Sequence, residues 1–214
     1  MCDPFRLWPG RPEMFELVLP RRCAGCAAAG QVLCEKCQHA LAALPYRVST
    51  GVDTLAPVFV LGPYAGAHRG IVLSMKERAN LAVRRHAGML LDAALTHLEA
   101  RGEIPEGAVL VPAPTRRAAA RARGGDPVEA LCRASGRPTA AVLSLARAAR
   151  DQSELSAAQR RANLAGQVRC AAVPAGVVIV VDDVVTTGST LHASVATLLA
   201  RGADVRACVA LCGA

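Results

Sequence analysis

Lysine is nearly absent from this 214-residue chain. Of its 25 basic residues only Lys36 and Lys76 are lysines. The rest are arginines, which favour bidentate contacts with phosphate but also accompany an alanine-rich composition. The net charge of +8 invites a polyanionic partner, nucleic acid or polyphosphate, without defining one. Aromatic residues make up 3 % of the chain, too few for rows of stacking platforms. Any nucleic acid would therefore be gripped through its phosphates, in a salt-sensitive and nearly sequence-independent way. No apolar run reaches membrane-spanning length, and the opening segment up to Arg22 lacks the apolar centre of a secretory leader. These absences set aside an integral membrane protein and lead us to expect a cytoplasmic one. What is plentiful is small and apolar: 52 % of residues are hydrophobic, enough for one full α/β domain and a small appendage.

The nine cysteines are informative through their spacing. Four fall as Cys23-x2-Cys26-x7-Cys34-x2-Cys37, two pairs able to bring four thiolates to one tetrahedral ion. So short a segment has little core of its own, and metal ligation would supply its folding energy, of order 10 kcal/mol or more. A redox pair or two disulfides would use the same residues. A redox Cys-x2-Cys usually opens a helix within a thioredoxin-like unit, however, and nothing nearby has that form. Structural zinc is the expectation, with sulfur at all four positions and no open site for catalysis. Cys132, Cys170, Cys208 and Cys212 sit among apolar residues and read as small core side chains.

Along the chain, residues 1–45 read as an N-terminal arm followed by this cysteine module, and residues 46–214 as the main domain. Strands are expected at Leu55–Leu61, Ala108–Val111, Val142–Leu145, Val177–Val181 and Val205–Leu211. Helices are expected at Leu81–Ala100, Val128–Ala134 and Leu191–Leu199. Such alternation implies an α/β fold: a mostly parallel sheet flanked by helices, with ligands bound beyond the carboxyl ends of its strands.

The stretch VVIVVDDVVTTGST, Val177 to Thr190, concentrates the chemistry. Five buried-strand residues lead directly into Asp182 and Asp183. Then come Thr186, Thr187, Gly188, Ser189 and Thr190, and a helical run. A strand turning through such a loop into a helix directs backbone N–H groups and the positive helix end at one spot, which suits a phosphate. The glycine lets the backbone approach the anion, and the hydroxyls add donors. The two carboxylates can accept hydrogen bonds from sugar hydroxyls or hold a hydrated Mg²⁺. A buried strand followed by a polar turn would explain the loop alone. It would not explain two adjacent acids against an apolar strand. The stretch resembles the phosphoribosyl pyrophosphate (PRPP) motif of type I phosphoribosyltransferases. That resemblance implies acids on the ribose 2′- and 3′-hydroxyls, a loop around the 5′-phosphate, and Mg²⁺ carried with PRPP.

Two more polar segments surround it in the sequence. Pro112-Ala113-Pro114 ends a strand and leads to Arg116, Arg117, Arg121 and Arg123 before a Gly124-Gly125 turn. Those arginines would suit the pyrophosphate of PRPP, or form a solvated helix face. Arg150, Gln152 and Leu155 precede Arg160, Arg161 and Asn163, and taken alone would make a salt-bridged surface helix.

The order of the cysteine module, the Tyr64–Lys76 segment, VPAP, R-x-Q-x-x-L…RR-x-N-x-x-G and DD-TTG resembles the ComF family. Its members join a four-cysteine zinc module to a phosphoribosyltransferase-like domain and are associated with competence. The resemblance implies that Arg150, Gln152, Arg160 and Arg161 lie in a basic segment beside the nucleotide cleft, binding pyrophosphate or nucleic acid, and that Lys76 is the lysine following the first helix. One departure is plain: the family's Arg-Gly-aromatic-Asn reads here Arg123-Gly124-Gly125-Asp126. The function implied is binding of PRPP or ribose 5-phosphate in the service of single-stranded DNA uptake or handling during natural transformation, with proteins of the uptake machinery as partners. The alternative is an active phosphoribosyltransferase on an unidentified base or amine. A PRPP-sensing module without turnover is a third reading.

Overall fold

The computed structural model describes residues 21–76, 81–115, 120–121, 124–146 and 167–214. In chain order the elements are α1 (Glu35–Leu41), β1 (Tyr46–Val48), β2 (Val58–Val60), α2 (Gly66–Lys76), α3 (Leu81–Ala100), β3 (Val109–Pro112), α4 (Pro127–Ala134), β4 (Leu143–Leu145), β5 (Val168–Cys170), β6 (Val177–Val185), α5 (Ser189–Ala200) and β7 (Asp204–Gly213). The fold is α/β, as the sequence implies. Its main sheet has the order β1-β2-β7-β6-β3. The β2–β7, β7–β6 and β6–β3 pairings are parallel, and only β1 joins antiparallel. Among the described residues no helix is long and apolar enough to cross a membrane.

The long central strands are apolar because both of their faces are covered. Ile179 and Val181 of β6 turn toward Ile71 and Met75 of α2, Leu91 and Leu95 of α3, and Leu131 of α4. Val178 and Val180 turn the other way, toward Leu191, Val195 and Leu198 of α5. Residues alternating along one strand therefore serve two cores. The helices on the first side are held closely: a Cβ on Gly88 of α3 would stand 2.4 Å from the Ala134 carbonyl carbon of α4. Arg137, just beyond α4, reaches across to Asp92 at 2.6 Å, Thr96 at 2.8 Å and Glu99 at 2.7 Å on α3.

Three local expectations need correction. β6 does not end at Val181 but runs through both acids to Val185, because β7 keeps pairing with it as far as Gly213. The Val142–Leu145 segment forms a strand, yet outside the main sheet, as an antiparallel pair with β5. Between Leu55 and Leu61 only Val58–Val60 is strand, and all three of its residues are buried. Cys132, Cys170, Cys208 and Cys212 are buried free thiols, as expected. Burial pushes the last two up to about 12.

Candidate functional site

β3 and β6 lie side by side and end together. Pro112 is level with Val181, and the Ala113 N–H donates to the Val181 carbonyl at 2.7 Å. The helix after β3, α4, packs on one face of the sheet, and the helix after β6, α5, on the other. Neighbouring parallel strands whose connections part in this way leave a crevice at their carboxyl ends, where α/β sheets receive ligands. Pro112, Ala113 and Pro114 lie at this end of β3, and Asp182, Asp183 and the loop to Ser189 at this end of β6.

Asp183 is buried, 5 % exposed, and a buried carboxylate needs compensation. It receives this from Lys76, the last residue of α2, whose Nζ stands 2.6 Å from Asp183 Oδ1. Asp182 accepts a hydrogen bond from the Asp183 backbone N–H at 2.8 Å. Burial, and then the neighbouring Asp183 charge, push the Asp182 carboxyl up to about 7; that N–H and Lys76 oppose the shift. Each acid thus has its own setting: one locked in an ion pair, the other poised to take or release a proton near neutrality.

Thr186 and Thr187 are exposed and Gly188 is buried. Gly188 has φ +84° and offers no side-chain cap to α5. The hydroxyls of Thr187 and Ser189 are 2.9 Å apart. The Ser189 N–H reaches Thr187 Oγ1 at 3.4 Å, and the exposed hydroxyls together with the start of α5 make a donor-rich corner. Gly188 is demanded by its neighbours as well as by its backbone angle. A Cβ there would come within 2.9 Å of the Thr50 Cβ.

That neighbour belongs to a segment for which sequence reasoning assigned no role. The Val52 N–H donates to the Thr187 carbonyl at 3.0 Å, and His192 of α5 bonds the Asp53 carbonyl through Nδ1. Thr50 and Asp53 fold the segment on itself through bonds to the Val52 carbonyl and the Leu55 N–H. Ser49-Thr50-Gly51 followed by Asp53-Thr54 carries turn chemistry, which was the available signal.

Of the other expected site residues, Arg116, Arg123, Arg150, Gln152, Arg160 and Arg161 lie outside the described residues. Thr190 opens α5 beside Ser189. Asp126 caps α4, its Oδ1 accepting from the Val128 and Glu129 N–H groups at 2.8 and 3.2 Å. Asparagine would cap equally well at this position.

The four cysteines form the second cluster. Their sulfurs all lie within 4.8 Å of one another, so one metal ion can be held among them. Cys23 and Cys34 sulfurs are 3.6 Å apart, and Cys26 and Cys34 3.7 Å. Metal–sulfur bonds of about 2.3 Å in a tetrahedron give edges of about 3.8 Å, so the arrangement fits such an ion. Burial would raise the Cys23 thiol. Backbone N–H groups of Cys34, Cys26 and Gly25 outweigh it and bring the thiol down to about 6, whereas burial and the neighbouring thiols push Cys37 up, so the case for a metal rests on the sulfur geometry.

Compared with known proteins, the chain matches no family model and no curated protein.

Proposed function

We propose that this chain is a phosphoribosyltransferase-like protein that binds PRPP or a ribose 5-phosphate in the crevice between β3 and β6. One observation supports the reading: adjacent acids of contrasting setting stand in the last half of a buried strand that leads, through Val185 and a hydroxyl-rich loop, into a helix start. The corner at Thr186–Thr190 takes the 5′-phosphate, and Asp182 and Asp183 take the ribose hydroxyls. Mg²⁺ arrives with the diphosphate. Zinc is the ion proposed for Cys23, Cys26, Cys34 and Cys37, where it supplies folding energy and no chemistry.

Within that class the motif order supports the ComF family, and with it a part in handling single-stranded DNA through phosphate contacts. Calorimetric titration of PRPP with Mg²⁺ into the purified chain tests the ligand. Saturable binding is expected, and an Asp182→Asn/Asp183→Asn double variant should abolish it. A folded, zinc-loaded protein that binds neither PRPP nor ribose 5-phosphate would overturn the reading. A band-shift at low ionic strength with single-stranded DNA tests the second part, and absence of any complex there sinks it.

A further inference from the structure

The cysteine unit and the candidate site are joined by a single helix, α2. Its Gly70 sits mid-helix, where glycine is less favourable than alanine, so its presence needs a packing reason. The reason is backbone contact. A Cβ on Gly70 would stand 2.4 Å from the Gly25 carbonyl oxygen and 2.5 Å from that of Ala24. Gly25 is equally confined, its Cβ position lying 2.6 Å from Cys37 Sγ and 3.2 Å from the Ala67 Cβ. Ser74, buried on the same stripe of α2, donates its hydroxyl to the Ala24 carbonyl at 3.3 Å. Ala67, Gly70 and Ser74 are spaced three and four apart, the spacing of one helix face.

Ala24 and Gly25 are the chain between Cys23 and Cys26. The loop fixed by two of the four cysteines is thus pressed directly on the backbone of α2. Gly70 lies less than two turns before Lys76, about 9 Å along the axis. Lys76 is the residue that holds Asp183. Cys23, Leu33, Cys37 and Leu41 share one core with Ile71, Val72 and Met75, so no layer of solvent separates the two units.

We infer that the four-cysteine unit sets the position of Lys76, and through it Asp183, so that metal occupancy controls how tightly the ribose-phosphate site binds. This rests on the ligand reading proposed above. Lys76 is a positioning residue in it: it acts through Asp183. With the metal removed, the Ala24-Gly25 loop loses its anchor, α2 loses its backing on that stripe, and the ion pair is no longer held in register.

The test uses the full chain, metal-loaded and metal-stripped, with two readouts. Amide hydrogen exchange without ligand should speed up about tenfold or more over Ile71–Lys76 on stripping, with α5 changed far less. Titration with Mg²⁺ and PRPP should show affinity about tenfold weaker in the stripped protein, within the usual span of coupling between sites. Gly70→Ala, measured metal-loaded, should move both readouts in the same direction, and it covers the case in which the stripped chain unfolds. Lys76→Met should bind weakly with or without metal. Unchanged exchange over α2 in Gly70→Ala overturns the inference. So does a Lys76→Met variant whose affinity still follows the metal. If metal-loaded wild type binds no PRPP, the ligand reading fails alone, and exchange over α2 still decides whether the two units are coupled.

Discussion

Asp183 and Asp182 differ by one position in the chain and by a large step in environment. Lys76 neutralises Asp183 in a site almost closed to water, so removing the cation leaves a charge with nowhere to go. Lys76→Met should cost about 2 kcal/mol of unfolding free energy, read by urea titration, and adding Asp183→Leu should restore most of it. For Asp182 the folded carboxyl titrates near 7, above the roughly 3.9 of an unfolded chain. The folded state therefore holds the extra proton. The stability this contributes is fully present below about pH 4 and lost as pH rises through about 7. Wild type should lose stability relative to Asp182→Asn across that interval, in urea titrations at successive pH values. Both acids were legible in the sequence, since adjacent carboxylates against β-branched residues serve no packing purpose. The resemblance singled out Lys76 as well, but its pairing with Asp183 was not legible, because Lys76 comes from a helix far upstream that only the tertiary fold brings near.

Elements tell a similar story. Asp126 and Pro127 open α4 with a side-chain cap and a preset first residue. Asp126→Ala should cost about 1 kcal/mol, and Asp126→Asn almost nothing, by thermal unfolding. Gly188→Ala should be worse, about 2 kcal/mol, since it meets both a left-handed backbone and Thr50. α3, α4, α5 and the long strands were legible because periodicity needs length to register. β1 and β5, three residues each, were not, and neither carries a pattern of its own. The end of β6 was hidden because aspartate is a poor strand former. Continued pairing with β7 overrides that preference.

On the scale of the whole molecule, the cysteine unit shares its core with the sheet. Removing the metal by chelation should lower the midpoint of a single calorimetric transition, not melt a separate small domain. Two resolved transitions would contradict that. The scarcity of lysine has a practical counterpart. Apart from the chain's α-amine, only Lys36 and Lys76 offer amines to an acylating reagent. Lys36 is exposed, whereas Lys76 is engaged with a carboxylate and only 28 % exposed. Acylation followed by mass spectrometry thus has an internal standard and a reporter in one polypeptide, and the ratio of the two labels reads how often the Lys76–Asp183 pair opens.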